Sequence, residues 1–216
     1  MKISCVIFDF DGTLFDSMHV WDDVGRRYLA SLGITANDDF EETIAGMTLA
    51  QGCEYASKTY PIHKTPMQVL EGISDIVKDD YAYKIEPKAG VKEILETLHH
   101  HNVRMIIATA SDQRLVMTAL KRCHMDHYFI DIVSAQDSKL DKHSPDIFEK
   151  AMHMCQGDKT DTVVIEDAYH AAFTAKKAGF TIIGVYDESE KQQNKMQEVC
   201  DIYVHTLAEW KVEEML

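Results

Sequence analysis

Two carboxylates at the end of an apolar run mark a place in this chain where chemistry could be assembled. Asp9 comes directly after Ile3-Ser4-Cys5-Val6-Ile7-Phe8, a run of strand length that is rich in β-branched residues, and Asp11 follows two positions later. Such a run is typical of a buried parallel strand, and ligands of open α/β sheets bind beyond the carboxyl ends of the strands. Alternation along a continued strand would place both side chains on one side, and Gly12 allows a tight turn around a ligand.

Other polar residues also follow apolar runs further along the chain. Thr109 closes the run over 103–108, and Glu166 and Asp167 follow Val163-Val164-Ile165. Adjacent acids at a buried strand end are costly unless they are paired with a cation or bound to a metal. The carboxyl ends of several strands are therefore predicted to contribute to one site.

Composition limits the possible function. The chain has 216 residues, 45% of them apolar, and a net charge of −14. This charge argues against a broad nucleic-acid surface or an anionic membrane surface, but not against a small phosphorylated substrate. No apolar run reaches the roughly 18–20 residues of a membrane span, and the N-terminus lacks the order of a signal peptide. The five scattered cysteines form no C-x-x-C pair, so we expect reduced thiols and a cytoplasmic protein.

The pattern of elements predicts an α/β fold. From Ser17 to about Lys84 apolar residues recur at helical spacing without a convincing strand; a first helix is predicted over about 20–32. From Glu86 strands alternate with helices, and strands are predicted at 103–108, 128–133, 162–165, 180–185 and 202–204. This alternation indicates a doubly wound, mostly parallel (Rossmann-like) sheet core over residues 1–16 and 85–216. Residues 17–84 are predicted to form a small, inserted, all-helical cap domain.

Four segments in order resemble the motifs of the haloacid dehalogenase (HAD) superfamily. Asp9-Phe10-Asp11-Gly12-Thr13-Leu14 resembles D-x-D-G-T-[LV], and Ile106-Ile107-Ala108-Thr109 resembles the strand that closes on Ser or Thr. Asp141-Lys142-His143-Ser144-Pro145-Asp146-Ile147-Phe148 resembles G-K-P-x-P-D-[IP]-[FY], with His143 and Asp141 as departures that leave the loop geometry open. Glu166-Asp167-Ala168-Tyr169-His170-Ala171 resembles E-D-S-x-x-G, with both carboxylates retained but Ala168 and Ala171 in place of Ser and Gly. The helical insertion is similar to the C1 cap of this family.

The resemblance implies a role for each matched residue. Asp9 would attack phosphorus, and Asp11 would be the general acid and base. Lys142 would neutralise phosphate charge, and the Thr109 hydroxyl with the Ala110 amide would hold a phosphoryl oxygen. Ser111 would either contact substrate or cap the following helix. Since family dehalogenases typically lack the second aspartate, Asp11 argues against dehalogenation.

The resemblance also implies a bound Mg²⁺. Its expected ligands are Asp9, the main-chain carbonyl of Asp11 and Asp167, with Glu166 bound directly or through water. Oxygen ligands suit Mg²⁺, which commonly keeps water and a phosphate oxygen.

The resulting prediction is a Mg²⁺-dependent phosphomonoester hydrolase that acts on a small phosphorylated metabolite through a phospho-aspartate intermediate. One alternative is a phosphomutase of the β-phosphoglucomutase type, which carries an arginine in an early cap segment. The comparable stretch is Gly46-Met47-Thr48-Leu49, with Leu49 where that arginine is expected. A catalytically silent regulatory domain is disfavoured because all the motif carboxylates are retained. We expect a monomer that binds neither nucleic acid nor membranes.

Overall fold

The computed structural model describes residues 2–45, 47–138 and 140–216. Gly46, in the stretch compared above with the mutase segment, lies outside the described residues. The chain divides into two compact units, one formed by Met1–Ser17 with Ile85–Leu216 and the other by Met18–Lys84. The first is an α/β unit and the second is helical.

The elements follow one another along the chain. The strands are β1 (Cys5–Phe8), β2 (Phe15–Asp16), β3 (Glu86–Pro87), β4 (Arg104–Thr109), β5 (Phe129–Ser134), β6 (Thr162–Glu166), β7 (Thr181–Val185) and β8 (Ile202–Val204). The α-helices are α1 (Met18–Trp21), α2 (Val24–Ser31), α3 (Phe40–Ile44), α4 (Leu49–Thr59), α5 (Pro66–Tyr83), α6 (Val91–His100), α7 (Gln113–Arg122), α8 (Ala135–Ser138), α9 (Asp146–Met154), α10 (Tyr169–Lys177) and α11 (Gln193–Val199). Short 3₁₀ turns cover Asp126–Tyr128, Leu207–Glu209 and Val212–Met215.

The α/β unit is built on one parallel sheet of six strands in the order β5-β4-β1-β6-β7-β8. The predicted α/β fold class with a parallel sheet is therefore confirmed. Strand β1 lies between β4 and β6, and Phe8 is level with Ile107 on one side and Ile165 on the other. Because the chain order reverses at β1, the carboxyl ends of β1, β4 and β6 form the switch point where ligands bind in such sheets.

The core explains why these segments became strands and helices. All four residues of β1 are buried, and so is every residue of β6, as expected for strands covered on both faces. One hydrophobic cluster joins Ile7 of β1 and Val164 of β6 to Phe148 of α9 and Ala172 of α10. This packing fixes the strand ends that carry the polar residues.

Two local features differ from the sequence prediction. The single helix predicted over 20–32 is wrong, because α1 ends at Trp21 and α2 begins at Val24. The break falls at Asp22 and Asp23, which are poor helix formers, and Arg27 donates to the Val20 carbonyl at 3.3 Å. Strands β2 and β3, an antiparallel pair of two residues each, were not predicted, since they are too short to show a period.

The helical unit has its own buried contacts. Helices α4 and α5 each begin with a capping box, at Thr48 and Thr65. The Trp21 indole donates to the Tyr81 hydroxyl at 3.1 Å. Within the described part of the chain, no helix combines the length and apolar character needed to cross a bilayer.

Candidate active site

The ends of β1, β4 and β6 bring three predicted residues to one edge of the sheet. Asp9 directly follows β1, and its amide donates to the Ile165 carbonyl at 2.9 Å, so it continues the strand pairing. Thr109 is the last residue of β4, and Glu166 is the last residue of β6. All three are buried. Their position follows from strand register and needs no special loop geometry.

Lys142 lies among the carboxylates, although it comes from the segment between β5 and α9. Its ammonium forms ion pairs with Asp9 Oδ1 and, at 2.6 Å, with Glu166 Oε1. The side chain of Lys142 is only 7% exposed. Burial by itself would lower the pKa of Lys142, but the negative charges of Asp9 and Glu166 outweigh burial and raise this pKa above its ordinary value. Lys142 is therefore a fixed positive charge beside Asp9.

Three buried carboxylates form a group that could hold a metal ion. Asp9, Glu166 and Asp167 each offer an oxygen, and these oxygens lie within 4.8 Å of one another. Burial, with the charges of Glu166 and Asp11, raises the pKa of Asp9 to about 7 against the opposing effect of Lys142. Burial and the charges of Glu166 and Asp9 raise the pKa of Asp167 well above its ordinary value. The ammonium of Lys142 cannot balance all three negative charges.

Glu166 has both carboxylate oxygens engaged. Oε1 pairs with Lys142, while Oε2 accepts hydrogen bonds from the amides of Asp167 at 2.9 Å and Ala168 at 3.1 Å. Those amides directly precede α10, where the helix dipole favours an anion. Asp167 is held differently, since its Oδ1 accepts a hydrogen bond from the Thr13 hydroxyl at 2.8 Å.

Asp11 is surrounded by hydroxyl groups. Ser17 donates to its Oδ1 at 2.6 Å, and Ser111 donates to its Oδ2 at 2.6 Å. Gly12 adopts a left-handed φ of 81°, and its amide donates to the Phe15 carbonyl at 2.9 Å, which closes the turn after Asp11. Two neighbouring aspartates therefore have different surroundings, an ammonium for Asp9 and hydroxyls for Asp11.

The remaining predicted residues lie in the loop after β4. The Thr109 hydroxyl accepts a hydrogen bond from the Ser111 amide at 3.0 Å, and Ala110 between them is exposed. Ser111 does not cap the next helix. Asp112 is the N-cap of α7 and accepts from the Arg114 amide at 2.7 Å, so the capping interpretation of Ser111 is wrong.

Sequence reasoning assigned no role to two residues that hold the site together. Thr13 contacts Asp167 across 154 positions of the chain, and Ser17 contacts Asp11. Thr13 belongs to the D-x-D-G-T motif, so the motif itself could have indicated it. Nothing in the spacing indicates Ser17.

Comparison with known proteins adds three findings. A family model described as haloacid dehalogenase-like hydrolase matches residues 6–185, which include all four motifs. The chain is 25% identical over 177 residues to a phosphorylated carbohydrates phosphatase of Thermotoga maritima, covering 82% of each protein. It is 27% identical over 183 residues to pyrophosphatase PpaX of Halalkalibacterium halodurans, covering 83% of this chain and 81% of that protein.

A solved structure agrees with the fold. CbbY from Rhodobacter sphaeroides, crystallised in complex with phosphate, superposes with a TM-score of 0.83 over 96% of each chain at 18% identity. At this identity the likeness concerns the fold alone.

Proposed function

We propose that this protein, which belongs to the haloacid dehalogenase-like hydrolase family and is a phosphatase of that family, hydrolyses the phosphomonoester of a small metabolite. The proposed reaction passes through a phospho-aspartate on Asp9 and uses Mg²⁺ as cofactor. The observation that carries the proposal is the contrast between the two aspartates of the first motif. Asp9 is buried against the Lys142 ammonium, whereas Asp11 is held by the hydroxyls of Ser17 and Ser111. The first environment suits a nucleophile that must approach an anion, and the second suits a group that exchanges protons.

The residues present fit a divalent cation that prefers oxygen. The three carboxylates of the acidic group offer only oxygen ligands and carry more negative charge than Lys142 offsets. Asp9, Asp167 and the main-chain carbonyl of Asp11 would hold the ion. Glu166 would act through water, because both of its oxygens already accept hydrogen bonds. When bound, Mg²⁺ would offset negative charge on the phosphoryl oxygens.

The proposed reaction has two steps. The Asp9 carboxylate attacks phosphorus, the bond from phosphorus to the leaving oxygen breaks, and Asp11 gives its proton to that oxygen. Asp11 then takes a proton from water, which attacks phosphorus and releases phosphate and free Asp9. Because a serine hydroxyl can both donate and accept, Ser17 and Ser111 can serve Asp11 in either protonation state.

The other predicted residues would act on the phosphoryl group. Lys142 would offset its negative charge, and the Thr109 hydroxyl with the Ala110 amide would hold one of its oxygens. Gly12 would let the backbone approach the group closely. We further propose that the helical unit serves as the family's cap domain, which excludes water and selects the substrate. A monomeric cytoplasmic protein is also part of this proposal, in keeping with five cysteines that form no disulfide.

The test is phosphate release from a panel of sugar phosphates, phosphoglycolate, pyrophosphate and p-nitrophenyl phosphate. We expect release with Mg²⁺ and none with EDTA or with Asp9→Asn. Acid quenching of the wild-type enzyme during turnover should trap phosphate on Asp9. Conversion of β-glucose 1-phosphate to glucose 6-phosphate without free phosphate, given a bisphosphate primer, would instead identify a mutase. An absence of turnover together with an absence of Mg²⁺ binding would identify a silent domain.

A further inference from the structure

Lys88 forms a partly buried three-way contact beside the first motif. Its ammonium donates to the Gly12 carbonyl at 2.6 Å, to the Tyr186 carbonyl at 2.8 Å and to Asp187 Oδ2 at 2.9 Å. The side chain of Lys88 is 17% exposed and that of Asp187 is 6% exposed. A lysine ammonium has three N–H donors, and here each has an acceptor. Lys88 is therefore engaged with the protein and is not arranged to bind a substrate phosphate.

The backbone around Lys88 is fixed on both sides. The Lys88 amide donates to the Leu14 carbonyl at 2.9 Å, and Pro87 pairs with Phe15. Gly90 has a left-handed φ of 84°, and a Cβ at that position would lie 2.1 Å from the Ala208 amide nitrogen. The turn that carries Lys88 is thus packed closely against Leu14, Phe15 and Ala208, and this packing fixes the position of the Lys88 backbone.

Asp187 connects this contact to the loop after β7. Its Oδ1 accepts from the Ser189 amide at 3.0 Å and from the Ser189 hydroxyl at 2.7 Å, which leaves Oδ2 for Lys88. Burial would raise the pKa of Asp187, but the hydrogen bonds from Ser189 and Lys88 outweigh burial and lower this pKa. The partner of Lys88 is therefore a stable carboxylate.

We propose that Lys88 is a positioning residue that fixes the Gly12 carbonyl, and with it the turn that carries Asp11, against the loop after β7. The proposal rests on the proposed function of Asp11 as general acid and base. Asp11 has to donate a proton to the leaving oxygen and then accept a proton from water, so the backbone at Asp11 must hold the carboxyl group in one position through both transfers. The Gly12 amide closes the turn within the motif through the Phe15 carbonyl, and Lys88 links the Gly12 carbonyl to the loop after β7.

Two substrates of different chemistry separate positioning from general stabilisation. An alkyl phosphate needs its leaving oxygen protonated, whereas p-nitrophenolate is a good leaving group that needs little help from an acid. Lys88→Met should therefore lower kcat/KM roughly 10- to 100-fold for the best alkyl phosphate of the panel, and much less for p-nitrophenyl phosphate. Hydrogen–deuterium exchange of the peptide covering residues 10–17 should become faster.

Lys176→Met is the matched control. Lys176 forms an ion pair with Asp201 at 2.5 Å in the same unit, and it lies near the end of α10 that is remote from Glu166 and Asp167. This variant should match the wild type on both substrates and in the exchange of residues 10–17. If Lys88→Met does not fold, Lys88→Gln, which retains a donor but not the charge, is judged by the same criteria.

The proposal is overturned if an active wild type and Lys88→Met show the same kcat/KM, if both substrates lose activity equally, or if exchange of residues 10–17 is unchanged. A wild-type protein that hydrolyses none of the phosphate esters of the panel overturns the proposed function itself. The two failures are thus distinguishable.

Discussion

Two sites in this protein, a cluster of three buried carboxylates and a single buried aspartate, show opposite charge balance. At the sheet edge, Asp9, Glu166 and Asp167 lie around the Lys142 ammonium. In the helical unit, Asp80 alone pairs with two cations, Arg27 at 3.0 Å and Lys84 at 2.7 Å.

The pKa values follow this balance. Burial raises the pKa of Asp9 to about 7 despite Lys142. Burial also acts on Asp80, but its hydrogen bonds to Lys84 and Arg27 outweigh burial and lower the pKa. A buried carboxylate with two cationic partners keeps its charge, whereas a cluster of three carboxylates around one ammonium has an excess of negative charge that a metal ion could offset. The difference teaches that uncompensated charge, rather than burial, distinguishes the candidate site.

The largest expected effect is on catalysis. Asp9→Asn should lower kcat roughly 10⁴-fold or more, because the amide cannot form the phospho-enzyme. Asp80→Asn should keep kcat within about twofold of the wild type, since it changes charge only in the helical unit. Phosphate release at saturating substrate and Mg²⁺ measures both. An equal loss of kcat in the two variants would contradict the claim that Asp9, and not Asp80, takes part in catalysis.

The next largest effect is expected on the free energy of unfolding when Lys142 is replaced. In EDTA, Lys142→Met should lower the free energy of unfolding by about 3–5 kcal/mol, because Asp9 and Glu166 lose their buried counter-ion. Lys84→Met should cost at most about 1 kcal/mol, since Lys84 is largely exposed. Urea unfolding followed by circular dichroism gives both values. A Lys142→Met variant as stable as Lys84→Met would show that the carboxylates do not depend on Lys142.

A smaller loss is expected when Asp80 itself is changed. Asp80→Asn should destabilise the protein by about 1–3 kcal/mol, because charge-assisted hydrogen bonds to Arg27 and Lys84 are weakened. Asp9→Asn in EDTA should cost less than this, since it relieves repulsion among the carboxylates while leaving an acceptor for Lys142. The same urea titrations make the comparison. The reverse order of stability would contradict the assignment of excess charge to the Asp9 cluster.

The last expected effect is a slope rather than a single loss, since stability should depend on pH with opposite sign at the two sites. The folded pKa of Asp9, about 7, lies above its unfolded value of about 3.9, so in EDTA wild-type stability should fall between about pH 4 and 7 relative to Asp9→Asn, by at most about 1.4 kcal/mol per pH unit. The folded pKa of Asp80 is lowered, so its contribution should be present above about pH 4 and vanish as the pH falls further. Stability curves of wild type, Asp9→Asn and Asp80→Asn from pH 3 to 8 measure both trends. Stability curves that run parallel for the three proteins would contradict both predicted trends.

Much of the fold could be predicted from the sequence because the buried strands carry their signal locally. The run before Asp9 and the run before Glu166 are apolar over their whole length, and both became central strands of the sheet. Their shared edge follows from parallel topology, so the closeness of Asp9, Thr109 and Glu166 was foreseeable. The roles assigned to these residues stay predictions until activity is measured.

The rest depends on contacts between distant parts of the chain. Lys88 meets Asp187 across 99 positions, and Thr13 meets Asp167 across 154. Neither pair leaves a periodic pattern, and β2 and β3 are too short to have one. The break between α1 and α2 was missed because Asp22 and Asp23 interrupt a spacing that is otherwise helical.

The most direct test of the central claim is calorimetric titration of Mg²⁺ into the metal-free wild type, Asp167→Asn and Asp80→Asn. If the undercompensated carboxylates form the cation site, the wild type and Asp80→Asn should bind Mg²⁺ equally, and Asp167→Asn should bind at least roughly tenfold more weakly. Binding that is unchanged in Asp167→Asn, or absent from the wild type, would contradict the claim that this cluster is built for a metal ion.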